Sequence, residues 1–272
     1  MASHWTLSDI PWDEIDPTAV EPELLETIKA AALVEANSQD YVSYLHNVFS
    51  GDESFSAAAS SWGYEERQHG DALGRWAELI DPGFSFEESL KCFREGYSLP
   101  LDADESVRGS RSGELVARCV VESGTCSFYS AIRDRTTEPV LRKICGFIAQ
   151  DEALHYRLFH THLKRYLNNG KLGFWQKIRI AVGRVFELGD DELAYAYYSA
   201  NLHNSGAVYD RKTCADAYSR RATQLYDFEH IQTAVRMILL ATDVNAYGRL
   251  SHWASQIAWW SVQRRNKRLA AA

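Results

Sequence analysis

The sequence predicts an all-α fold, and two observations carry that expectation. Only six prolines interrupt its 272 residues, and long stretches place apolar residues at the helical period of about 3.6. With 46% hydrophobic and 12% aromatic residues, the chain has ample material for a buried core.

The first helix opens at Pro22, with acids behind it, and runs through ELLETIKAAALVEANSQDYVSYLHNVF, residues 22 to 49, until SGDE breaks it. The second runs from Glu53 to Ile80 and stops at DPG. A short turn joins them, so they should lie antiparallel. A connection of about thirty residues follows, Asp81 to Arg111, with one short helix in FEESLKCFREGY and a loop rich in Asp, Gly and Ser. Such a length can carry the chain from one end of a bundle to the other. Two more long helices are expected, Ser112 to Thr136 and Glu138 to Asn168, parted near Thr137 and Pro139. Helix pair, long crossover, helix pair is the ferritin-like four-helix bundle. Beyond LNNGKLG the chain again reads as helical over 174–188, 191–204, 210–241 and 247–269. The expected organisation is a helical bundle over residues 1–170 and additional C-terminal helices over 171–272 packed on it, with a boundary near Lys171.

Two stretches stand out chemically. SWGYEERQHGDALGRW, Ser61 to Trp76, sets Glu66 three residues before His69, and ICGFIAQDEALHYRLF, Ile144 to Phe159, sets Glu152 three before His155. On a helix, residues at that spacing project from one face about one turn apart, so each pair is half of a site. A dinuclear centre needs one further carboxylate from each remaining long helix. Glu35 in AALVEANSQDYV and Glu122 in ARCVVESGTCSFY supply them, each in an apolar stretch where a charge is costly unless paired or metal-bound. Glu26 is the competing acid of the first helix. Four buried glutamates would repel one another and protonate, whereas two divalent ions neutralise them. Oxygen-rich ligation with one imidazole per ion suits two iron ions, or manganese, and is unlike thiolate-rich structural zinc.

Glu65 and Asp151 each precede a ligand glutamate by one residue, from where they could reach the outer nitrogen of the histidine on the partner helix and fix its tautomer. Gly124 costs its helix roughly 1 kcal/mol against alanine. It either leaves room beside Glu122 for dioxygen and substrate or permits close helix packing. Tyr129, Tyr64, Tyr156, Trp62 and Trp76 read as aromatic core before they read as an electron relay.

These stretches resemble acyl-carrier-protein desaturases. YEERQHGDAL is similar to the first iron-binding stretch of that family and ICGFIAQDEALHY to the second. VVESGTCSFY is similar to its third-helix ligand, with a threonine three residues on. The resemblance spans residues 22 to 168 and implies Glu35, Glu66, His69, Glu122, Glu152 and His155 as iron ligands, with Thr125 over the oxygen-binding face. The family's basic motif residues are replaced by Gln68, Ala153 and Leu154, and its acid after the second histidine by Tyr156. Those departures bear on the fatty acyl substrate, not on the di-iron centre.

The expected activity is that of an oxygen-dependent di-iron oxidoreductase, desaturating or hydroxylating an organic, acyl-type substrate. Electrons would come from a separate ferredoxin or reductase, because no redox-cysteine or nucleotide-binding motif is visible. An acyl-carrier protein and a second copy of the chain are further candidate partners. The alternatives are a rubrerythrin-like peroxidase or ferroxidase with the same ligands, and an iron-storage ferritin, against which the long C-terminal addition argues.

The formal charge of −8 argues against nucleic-acid binding. It is uneven: Arg249, Arg264, Arg265, Lys267 and Arg268 follow Ala246 without an acid, so residues 1–246 carry −8 − 5 = −13. The tail IAWWSVQRRNKRL reads first as a terminal helix with a packed Trp face, and otherwise as a contact for anionic lipid or an acidic carrier protein. Five cysteines without C-x-x-C spacing read as small core residues. With no membrane-length apolar run and no signal-like N-terminus, a cytoplasmic location is expected.

Overall fold

In the computed structural model, which describes residues 5–99, 103, 105–170, 172–187 and 191–270, all α- or β-type structure among the described residues is helical. The first expected helix is two: α1 (Pro22–Ala36) and α2 (Ser38–Val48) meet at Asn37, whose φ of −87° and ψ of 11° leave the helical path. The break frees the Ala36 carbonyl, and Arg94 of α4 (Phe86–Gly96) donates to it at 3.0 Å. α3 (Glu53–Ile80) is capped by Asp52 and α5 (Arg111–Arg135) by Ser110. α6 (Pro139–Asn169) starts with proline in its first turn, and Glu138 accepts from the Val140 and Leu141 amides.

Two apolar clusters give these helices their directions. One gathers Ile28 and Leu33 of α1, Leu73 and Trp76 of α3, Tyr129 and Ile132 of α5, and Ile144 and Ile148 of α6. The other gathers Val42 and Leu45 of α2, Phe55 and Trp62 of α3, Leu115 and Val120 of α5, and Phe159 and Leu163 of α6. Along the chain, α1–α2 and α6 run from the first cluster to the second, while α3 and α5 run the opposite way. The end of α3 and the start of α5 therefore lie at opposite ends of these four helices, separated by roughly the length of α3, about 42 Å for its 28 residues. Between the two clusters, at mid-height, each helix carries the polar residues picked out above.

The C-terminal helices close around this frame. α7 (Phe174–Phe186) lies on α5, α8 (Asp191–Asn201) on α1, and α9 (Arg211–Gln224) on α8. α10 (Phe228–Ala241) covers α5, and α11 (Arg249–Ala270) lies on α9 and α10. Ala194, Tyr197, Cys214 and Tyr218 belong to the first apolar cluster, so these helices share the core of the preceding ones. The expected boundary at Lys171 lies outside the described residues. The expected single helix over 210–241 is divided at residues 225–227, where Asp227 starts α10 with its amide bonded to His230 Nδ1 at 3.0 Å. Apolar periodicity runs through that break and conceals the cap. In α11, Trp253, Ile257 and Trp260 are exposed, although Asn266 and Arg265 bond to Thr223 and Ser219 of α9. No helix of the described residues is long and apolar enough to cross a membrane. All five cysteines are buried and free.

Candidate metal centre

Glu66 and His69 share the inner face of α3, and Glu152 and His155 that of α6. Glu35 enters from the last turn of α1 and Glu122 from the middle of α5. Ligand atoms of Glu35, Glu66, His69 and Glu152 lie within 4.8 Å of one another, as do those of Glu66, Glu122, Glu152 and His155. Glu66 and Glu152 belong to both groups, which makes one cluster of two overlapping halves. His69 Nδ1 is 3.4 Å from Glu152, 3.7 Å from Glu66 and 3.9 Å from Glu35. His155 Nδ1 is 3.0 Å from Glu66 and 3.7 Å from Glu122. All six residues are buried. Glu26 is elsewhere, accepting from Tyr197 Oη and pairing with Arg221, each at 2.6 Å.

The outer imidazole nitrogens are held symmetrically. His69 Nε2 lies 3.1 Å from Asp151 of α6, and His155 Nε2 lies 2.7 Å from Glu65 of α3. Each carboxylate fixes the proton on Nε2 and leaves the Nδ1 lone pair facing the cluster. Each ring also has a tryptophan: Trp5 stacks on His69 at 6.0 Å, and Trp62 meets His155 edge-on at 6.5 Å.

Close helix approach sets this geometry. A Cβ at Gly70 would lie 2.6 Å from the Ala36 backbone nitrogen, so glycine beside His69 lets α3 reach the end of α1 where Glu35 stands. A Cβ at Gly124 would meet nothing within 4 Å. Close helix packing therefore does not explain Gly124, and the residues lining the cavity beside Glu122 do not include it. Tyr64 is 74% exposed, whereas Trp76 and Tyr129 are fully buried.

The residues fit a pair of divalent cations. His69 Nδ1, His155 Nδ1, both oxygens of Glu122 and Glu152 Oε1 are buried without a hydrogen-bond partner, an arrangement that costs free energy unless a cation occupies the space between them. Two divalent ions would bring +4 against the −4 of Glu35, Glu66, Glu122 and Glu152. Without cations, protons must serve. Burial, reinforced by the Glu66 charge, pushes the Glu35 carboxyl well above the usual range. Burial, with Glu152 and Glu66 beside it, does the same to Glu122. Burial opposes charge on both histidines, but Asp151 and the cluster glutamates raise His69, and Glu65 and Glu66 raise His155.

Several contributors escape sequence reasoning. Tyr129 Oη donates to Glu35 Oε1 at 2.5 Å. Trp5 Nε1 donates to Asp151 at 2.7 Å, and Gln68 holds the Trp5 carbonyl at 2.9 Å, so the N-terminal segment straps the His69 side. Thr125, by contrast, is expected over the oxygen-binding face of the cluster; it donates to Glu152 Oε2 and stands on the wall of a cavity of about 130 Å³, which also reaches Glu35, Glu66 and Glu122. Arg118, Arg184 and Glu192 line that cavity too, the last two from C-terminal helices. The only local signal for Arg118 is its spacing, four residues before Glu122 on one face of α5. No protein-family model matches the chain, and no curated protein matches it.

Proposed function

We propose that this chain is a ferritin-like di-iron oxidoreductase that reduces dioxygen and oxidises an organic substrate held beside Glu122 and Thr125. The observation that carries the reading is the cluster of four glutamates and two histidines, with both Nδ1 atoms inward and unpartnered and both Nε2 atoms held by carboxylates. The helix directions, with α3 and α5 parallel across a long connection, agree with a ferritin-like bundle. Two ferrous ions, when bound, supply electrons for the reduction of dioxygen.

The chain's own groups divide the remaining work. Glu66 and Glu152 would span both ions, with Glu35 and His69 on one and Glu122 and His155 on the other. The Tyr129 hydroxyl holds one oxygen of Glu35 and so limits how that carboxylate swings. Thr125, bonded to Glu152 and facing the cavity, is placed to pass a proton between cavity and cluster. Trp5 stacked on His69 and Trp62 edge-on to His155 hold the two rings in place. Electrons would come from a ferredoxin or reductase, since the five cysteines are buried and dispersed.

The cavity favours oxidation of an organic substrate over iron handling alone, because it reaches all four cluster carboxylates and has Thr125 on its wall. Oxygen uptake by the iron-loaded protein, with a panel of free-acid and carrier-bound acyl substrates, tests this. Substrate-dependent uptake with product formation is expected. Uptake unaffected by every substrate, together with rapid reduction of hydrogen peroxide, would replace this reading with a rubrerythrin-like peroxidase.

A further inference from the structure

We propose that Arg118 makes the cavity beside the cluster a site for a small organic carboxylate, its acid group on the guanidinium and its body toward Glu122 and Thr125. The inference rests on the reading of this cavity as the substrate site. Arg118 is only 7% exposed and lines the cavity one turn before Glu122 on the same face of α5. Its guanidinium makes no hydrogen bond among the described residues, and its Nε is buried without one. Glu114 forms a buried ion pair with that Nε at 3.4 Å, while its other oxygen accepts from Tyr44 at 3.0 Å and Ser106 at 2.7 Å, so the terminal nitrogens of Arg118 are the donors left for a ligand. The guanidinium lies over the Tyr41 ring at 4.7 Å, which fixes its plane.

A buried, planar cation with vacant donors is the partner that a carboxylate binds in a fork. Glu192 also lines the cavity, with Tyr41 Oη donating to its Oε2 at 2.6 Å, and Arg184 adds a second positive charge to the lining. Trp62, Val121 and Leu193 supply apolar surface for the rest of the molecule. The volume, about 130 Å³, approaches the roughly 150 Å³ that accepts a benzene-sized guest. A short-chain acid matches that size, and a long acyl chain does not.

Calorimetric titration of the metal-loaded protein with butyrate and with butyramide, alike in shape but not in charge, tests the site. Butyrate should bind at least about tenfold more tightly. Arg118→Gln should abolish that preference, and Arg118→Lys should keep part of it. Val121→Phe, which fills the cavity and leaves Arg118 in place, should abolish butyrate binding and keeps the test decisive if Arg118→Gln misfolds. Equal affinity for the two probes in the wild type would overturn the inference. So would a full preference in folded Arg118→Gln, as expected of a carboxylate bound directly to metal. Metal content measured on the same samples separates the two claims. Two ions per chain without a butyrate preference overturns the carboxylate site alone. Absence of metal overturns the metal reading, while the wild-type comparison still decides the Arg118 site.

Discussion

Removing the carboxylates behind the histidines should weaken the two halves of the cluster one at a time. Glu65 orients only His155, and Asp151 orients only His69. Loss of such a partner typically costs 10–100-fold in metal affinity, about 1.4–2.7 kcal/mol. The surroundings place the two variants at different ends of that range. The Glu65 side chain is 18% exposed, so in Glu65→Ala water can accept the His155 Nε2 proton, and the loss should be about tenfold. Asp151 is buried and takes both His69 Nε2 and Trp5 Nε1 on one oxygen. Asp151→Ala strands two buried donors, and the loss should approach a hundredfold. Anaerobic ferrous titration with two resolved steps is the assay. In each variant one step should move while the other stays within a few-fold. Equal weakening of both steps in both variants, or no change in either, would refute the assignment of one orienting carboxylate to each histidine.

The metal-free protein should gain stability on mild acidification. Glu35 and Glu122, raised above their ordinary value of 4.5, hold protons in the fold that the unfolded chain has lost, so their burial destabilises increasingly as pH rises from 4.5. His69 and His155, raised above 6.5, stabilise fully below that value and lose the effect as pH climbs through their folded values. Glu66, held low against burial by the Glu35 carboxyl and the two imidazoles beside it, stabilises fully above 4.5 and loses that effect only as pH falls below it. Melting scans at about pH 7.5 and about pH 5.5 should therefore show a higher Tm at the lower pH. The opposite order would mean that these groups are not clustered. Thr125→Val should leave iron binding within a few-fold and lower the product formed per oxygen consumed, because a proton path is lost and no ligand is. Unchanged coupling in paired oxygen-uptake and product assays would remove Thr125 from the chemistry. Gly124→Ala should stabilise by about 0.5–1 kcal/mol, since its methyl group meets open space. Gly70→Ala should destabilise by about 1–3 kcal/mol through the Ala36 backbone. Denaturant melts that reverse this order would contradict the helix spacing at the cluster.

The parts of the site that were readable in sequence are those fixed by helical periodicity. Glu66 with His69 and Glu152 with His155 must share faces at a spacing of three. Glu26, flanked by Leu24, Leu25 and Ile28, competes with Glu35 on neighbours alone, and only the structure parts them, by placing Glu26 on Tyr197 and Arg221. Breaks and long-range partners were not readable. At Asn37 no glycine or proline marks the end of α1, because the carbonyl freed there is satisfied by Arg94, fifty-eight positions from Ala36 in the chain. Trp5 reaches Asp151 across 146 positions, and Tyr129 reaches Glu35 across 94. Arg118, inside the apolar run LVARCVV, shows its role only when Arg184 and Glu192 of the C-terminal helices complete the cavity around it.

The central claim is that these six residues hold two metal ions, and anaerobic ferrous titration of the wild type against Glu66→Ala and His155→Ala tests it most directly. The wild type should saturate at about two ions per chain, Glu66→Ala should weaken both because Glu66 belongs to both halves, and His155→Ala should lose one. Saturation below one ion in the wild type, or unchanged binding in both variants, would contradict it.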